Sequence, residues 1–128
     1  GAYYPLDNFD VKLDSASYTT DKLGDSELEE GNRYLVLNLT AKNGQATATL
    51  MRFDTFRAKL ADADGAEVEW NGQMLQGSRN TSLEQELESK QEMKFRFFYS
   101  VPSDLKPKTL TIREEESKWL VYDVSGVN

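Results

Sequence analysis

The sequence predicts an all-β fold, an antiparallel β-sandwich of about 7–9 strands, on three observations. Apolar and polar residues alternate over most of the chain, which is the period of a strand with one buried face. The alternating runs are short and are cut by turn dipeptides such as Gly31-Asn32, Asn43-Gly44 and Asn71-Gly72. No stretch shows a firm helical period in preference to a strand period.

The bulk properties set the frame. The 128 residues suit a single domain, 1–128, with 1–8 as an extended lead-in. A chain of this size buries roughly two thirds of its unfolded surface, enough to fold without metal or disulfide. It is 38% hydrophobic and 29% charged, which excludes disorder. Acidic residues number 22 and basic ones 15, for a net charge of −7. That balance argues against nucleic acid and anionic lipid, both of which call for a basic surface. Cysteine is absent, so there is no disulfide, thiolate metal site or thiol nucleophile. Histidine is absent too, removing the commonest general base and metal ligand. No apolar run approaches the ~20 residues of a membrane helix, and no signal peptide is visible. Gly1 has no methionine before it, so the expectation is a start inside a longer gene product, behind a removed signal, lipid anchor or upstream domain.

Taken in order, Phe9, Val11 and Leu13 share one face of a first strand, which 15–20 continue after an irregularity. Residues 21–31 are acidic with two glycines and read as a solvated loop. Arg33–Asn43 is the longest clean alternation, with Leu35, Leu37, Leu39 and Ala41 on one parity, and is taken as a central strand. In 50–61, Phe56, Ala58 and Leu60 share a parity that Phe53 breaks; a bulge or break near Asp54-Thr55 repairs it. Asp62-Ala-Asp-Gly65 is a hairpin turn and 66–70 the return strand. Residues 82–91 fit helix or strand, and strand neighbours favour a short strand and a turn. Met93–Val101 places Met93, Phe95, Phe97, Tyr99 and Val101 on one face, with Phe98 on the polar parity; Pro102 stops it. Leu110 and Ile112 face inward from a short strand, Glu114–Ser117 is a solvated tip, and 118–124 is a last strand covered on both faces. The expected core joins Val11, Leu35, Leu37, Leu39, Phe56, Leu60, Phe95, Phe97 and Ile112.

Little in the sequence indicates chemistry. Without histidine or cysteine, only Ser-Lys or paired carboxylates remain for catalysis. The carboxylates are scattered over turns and polar strand faces, where ordinary pKa values are expected. The reading is therefore not an enzyme, with no cofactor and no metal. Asp62-Ala-Asp-Gly65 resembles the start of a calcium loop, but Ala66 stands where the third acidic position falls, so a plain hairpin is preferred. Asn38 and Asn80 head glycosylation tripeptides, the first unsuitably placed in mid-strand. Large apolar residues without an evident inward place are Trp70, Met74, Phe98 and Trp119. The binding candidates are Trp70, Asn71, Met74 and Arg79, in the segment leaving a hairpin for a long loop.

Tyr34-Leu-Val-Leu-Asn-Leu-Thr-Ala-Lys-Asn43, then Phe56 through Asp62-Ala-Asp-Gly65, Phe98-Tyr-Ser-Val-Pro102 and Leu110-Thr-Ile112 resemble the motifs of the DUF4352-type, telokin-like immunoglobulin-fold domains of bacteria. The likeness runs from about Phe9 to Ile112. One departure is Glu88-Ser-Lys-Gln91, where that family often has a Pro-Gly turn. The resemblance implies an immunoglobulin-like sandwich, extracytoplasmic and often lipid-anchored, with no assigned catalysis and no functional residues to carry over. A fainter likeness is to the intracellular proteinase inhibitor sandwich, which shares a D-x-D-G hairpin.

The leading expectation is thus a non-catalytic binding module of a secreted or surface-anchored bacterial protein. Its partner would be a protein or cell-envelope component, met by loops at the sandwich ends: Asp21–Gly31, Asn71–Ser82 or Glu114–Ser117. The alternative is a protease inhibitor presenting Gln73–Arg79, with Arg79 entering an acidic pocket.

Overall fold

The computed structural model describes residues 2–23, 28–52, 54–68, 75–76 (backbone), 84–115 and 117–127. Within them lie eleven strands and no helix. A front sheet has the order β1 (Tyr4–Pro5), β2 (Phe9–Thr19), β3 (Asn32–Asn43), β9 (Glu92–Pro102) and β7 (Leu75–Gln76). A back sheet has β11 (Leu120–Asp123), β10 (Pro107–Glu114), β5 (Phe56–Asp62) and β6 (Glu67–Val68). A third pair joins β4 (Thr49–Arg52) to β8 (Glu84–Leu87). Every pairing is antiparallel. The count exceeds the expected 7–9 because β1, β6 and β7 are two-residue edge pieces.

The core lies between the sheets and holds all nine expected residues. β3 is central, flanked by β2 and β9, and Leu35, Leu37, Leu39 and Ala41 are fully buried. Phe9, Phe56, Phe95 and Phe97 carry ring contacts across the layer, with Phe56 stacked on Phe95 at 5.2 Å. Met51 and Leu87 join from the β4–β8 pair.

The irregularity in β2 is a bulge at Asp14: Leu13 faces Leu39, while Ser15 faces Asn38. The extra residue shifts the phase, so Ala16 and Tyr18 pack on the core although Leu13 does as well. The break near Asp54-Thr55 is a turn closed by Thr55 N–H to the Arg52 carbonyl at 3.1 Å, and it moves the chain from the β4–β8 pair into the back sheet. Residues 84–87 are strand, followed by a turn, and Tyr4–Pro5 of the lead-in pairs with β2.

Three expectations are corrected. Residues 21–31 are not simply a solvated loop. Leu23 is 5% exposed and, with half-buried Leu28, covers Tyr34, Val36 and Phe98 on the outer face of the front sheet. This second cluster explains Phe98, 1% exposed on the polar parity, and its edge contact with Tyr34 at 5.5 Å. The 114–117 tip is not wholly solvated, because Glu114 is 1% exposed. The last strand is covered on one face only, since Val121 is 60% exposed.

Two polar side chains fasten the layers at one end. Asn43 closes β3, and its Nδ2 donates to the carbonyls of Thr47, Leu87 and Glu88 at 2.9, 3.0 and 3.3 Å. Its Oδ1 accepts from Gln45 N–H at 2.9 Å, and the next residue, Gly44, donates its N–H to the Asn8 carbonyl at 2.9 Å. The front sheet is thereby tied to the β4–β8 pair. Glu114 ties it to the back sheet.

Candidate functional site

Glu114 is the buried carboxylate among the described residues. It continues the inward parity of Leu110 and Ile112, opposite Phe56. Its Oε1 accepts from the N–H groups of Asp7 and Phe9 at 3.2 and 3.0 Å, and its Oε2 from Asn8 at 2.9 Å. Burial raises its pKa, against the pull of those donors, so the expectation of ordinary carboxylates fails here. Both oxygens are engaged by backbone from a segment more than a hundred residues away. The arrangement is a clasp between sheets, and the nearby Asp7 carboxylate adds a smaller upward push on the Glu114 pKa.

The opposite end of the sandwich is more open. Tyr18 at the end of β2, Arg33 at the start of β3, Ala63, the 103–106 connection, Pro107, Lys108, Ser125 and Val127 line a groove of about 660 Å³. Backbone bonds hold its walls. Ser103 donates both N–H and Oγ–H to the Gly31 carbonyl, at 3.0 and 2.8 Å. Ala63 N–H reaches the Lys106 carbonyl at 2.9 Å, and Val124 N–H the Lys108 carbonyl at 2.8 Å. The Arg33 guanidinium lies 3.5 Å from the Tyr18 ring centroid, a fixed stack. Three cations, Arg33, Lys106 and Lys108, face one acid, Asp104, across this groove. None of the three makes an ion pair among the described residues. Nearby Asp123 is held below the usual carboxylate range by the hydroxyl and N–H of Ser125, with Lys108 adding a smaller effect.

The Asp62–Gly65 segment is the hairpin expected. Asp62 Oδ1 accepts from Asp64 and Ala66 N–H, each at 2.9 Å, and Gly65 takes the positive φ of 85°. That carboxylate oxygen is occupied by the turn itself. Trp70, Asn71, Met74 and Arg79 lie outside the described residues, as does nearly all of the 71–82 loop. The described residues bring forward the groove and the clasp instead. The clasp has a legible signal, the parity of Glu114 with Ile112. The groove has none, since its cations come from two segments about seventy residues apart, the start of β3 and the 103–108 stretch.

A layered antiparallel sandwich is a scaffold class shared by several bacterial proteins of known structure. The chain is similar to an uncharacterized β-sandwich protein of Clostridium difficile, at 15% identity over 97% of this chain and 90% of that one, with a TM-score of 0.64. It is also similar to a secreted protein of Mycobacterium tuberculosis, MPT63, at 10% identity over 90% and 82% of the two chains, with a TM-score of 0.61. A candidate lipoprotein of Bacillus subtilis aligns at 13% identity over 94% of this chain and 38% of its own, with a TM-score of 0.58. At these identities the likeness shows the fold. No curated protein sequence matches. Residues 5–119 match the family described as Domain of unknown function (DUF4352), and the chain belongs to that family.

The departure at 88–91 has a clear outcome. Lys90 adopts the positive φ of 66°. The turn forms nonetheless, with Gln91 N–H on the Glu88 carbonyl at 3.0 Å, Lys90 N–H on the Asn43 carbonyl at 2.9 Å, and Glu88 N–H on the Gln91 side chain at 2.8 Å.

Proposed function

We propose that this domain is a non-catalytic, immunoglobulin-like binding module of a bacterial protein that works outside the cytoplasm, secreted or anchored at the surface. It would meet a protein or cell-envelope partner at the open end of the sandwich, around the 103–108 connection. The observation that carries the non-catalytic reading is Glu114, a buried carboxylate with both oxygens committed to backbone donors. The secreted and lipoprotein-type neighbours support the location. No helix among the described residues is long and apolar enough to cross a membrane. Nothing in the described residues favours the protease-inhibitor alternative, whose Gln73–Arg79 segment lies almost wholly outside them.

The test is protease treatment of intact cells of the native host carrying the full-length protein. Cleavage there, with a cytoplasmic marker spared, is the expected result; full protection until lysis removes the location. Hydrolysis of an ester, phosphate or glycoside substrate that is lost in a folded Glu114→Gln protein removes the non-catalytic reading.

A further inference from the structure

The outer face of the back sheet carries a feature that neither the sandwich nor the groove requires. Arg57 on β5 and Arg113 on β10 are directly opposite in register. Lys59 follows two residues along β5, opposite Thr111. Lys59 Nζ and the Arg113 guanidinium lie 4.7 and 4.6 Å from the ring centroid of Trp119, which fixes them on one face. Opposed residues stand about 5 Å apart and alternate residues on a strand about 7 Å apart, so three positive charges crowd one small patch.

Like charges directly opposite each other destabilise a sheet. A structural role would therefore supply an acid between them. Among the described residues none is present: Arg57, Lys59 and Arg113 make no ion pair there, and Arg113 Nε is buried without a hydrogen-bond partner. The described acids on the strands of this face, Asp123 and Glu67, stand in the row of Thr109 and Ala61, at the far end from Arg57 and Arg113. Glu115, exposed in the turn beyond, also pairs with none of the three. In a chain of net charge −7, concentrating unneutralised cations at one place is a cost that a ligand would remove.

We infer that the Arg57–Arg113–Lys59 patch beside Trp119 binds a phosphate-bearing polymer chain. Two guanidinium groups in register suit one phosphate, which offers several acceptor oxygens at high charge density. Lys59, one step along the sheet, meets the next phosphate of the same chain. Trp119 is covered by its two cations and serves to hold them, so it offers no platform for stacking nucleobases. The flat sheet face and the acidic remainder of the molecule suit a flexible chain that touches only this patch. The inference is independent of where the protein resides and of what the end groove binds.

The test is isothermal titration of the whole domain with inorganic polyphosphate at low salt, together with the indole N–H resonance of Trp119. Binding should shift that resonance. Arg57→Gln and Lys59→Gln should each weaken binding about fivefold and lower the salt slope by about one. Lys94→Gln, the same charge change on the front sheet's outer face, should leave both unchanged. Arg57 and Lys59 are exposed, so these variants keep the test open should Arg113→Gln fail to fold. No binding of polyphosphate, or an equal loss in Lys94→Gln, overturns the site. Equal affinity for polyglutamate overturns the phosphate-chain assignment.

Discussion

A carboxylate enclosed with three N–H donors is pulled two ways: burial favours its neutral form and the donors its charged one. At Glu114 burial wins, and the pKa rises. An acid with a raised folded pKa binds more protons folded than unfolded, so its contribution is fully present below the ordinary carboxylate range and is lost as pH rises through the folded value. Urea unfolding between pH 4 and 7 should therefore show wild type losing stability relative to Glu114→Gln as pH rises. Glu114→Ala strands the donors of Asp7, Asn8 and Phe9 and should cost about 3 kcal/mol by the same measurement. Lys90 makes the opposite case. Its φ of 66° is a conformation that costs an L-residue about 1–2 kcal/mol and a glycine almost nothing. Part of that gain is offset by the extra freedom of unfolded glycine, so Lys90→Gly should stabilise by about 0.5–1 kcal/mol, read as a higher Tm.

Leu23 and Leu28 show an element acting beyond its own pattern. Their segment has no period and reads as solvated, yet it roofs Tyr34, Val36 and Phe98. Leu23→Ala should cost about 2 kcal/mol and raise the binding of an apolar dye, because it uncovers an aromatic pair while the main core stays closed. How much was legible follows from such cases. The central strand could be read from Leu35, Leu37 and Leu39 alone, since a period of two survives whatever packs above it. Phe98 could not, because its cover comes from residues seventy positions away and no local rule connects them. Glu114 was half legible: its parity with Leu110 and Ile112 pointed inward, while the run of three glutamates pointed to water. The cationic patch was hidden because β5 and β10 come together only in the sheet, and register, rather than sequence, makes Arg57 and Arg113 neighbours.

Across the whole molecule the pairings are long-range. β3 pairs with β9 from Asn32↔Pro102 to Lys42↔Glu92, and the clasp joins Asp7–Phe9 to Glu114. Little of the sandwich can close before most of the chain is in place, so stopped-flow refolding should occupy milliseconds to seconds, as for other all-β sandwiches. The end fastened by Asn43 also has a chemical consequence. Asn-Gly is the dipeptide most prone to deamidation, in which the glycine nitrogen attacks the asparagine side chain to form a succinimide. In the native fold the Asn43 amide is engaged by three carbonyls, and the Gly44 nitrogen is turned to the Asn8 carbonyl, so the attack geometry is denied. Once the chain opens, the reaction proceeds, and the aspartate it leaves can no longer donate to Thr47, Leu87 and Glu88. Each excursion to the unfolded state thus risks a covalent lesion that blocks the return. The age of a preparation should be written at residue 43, where peptide mapping would read it as a record of time spent unfolded.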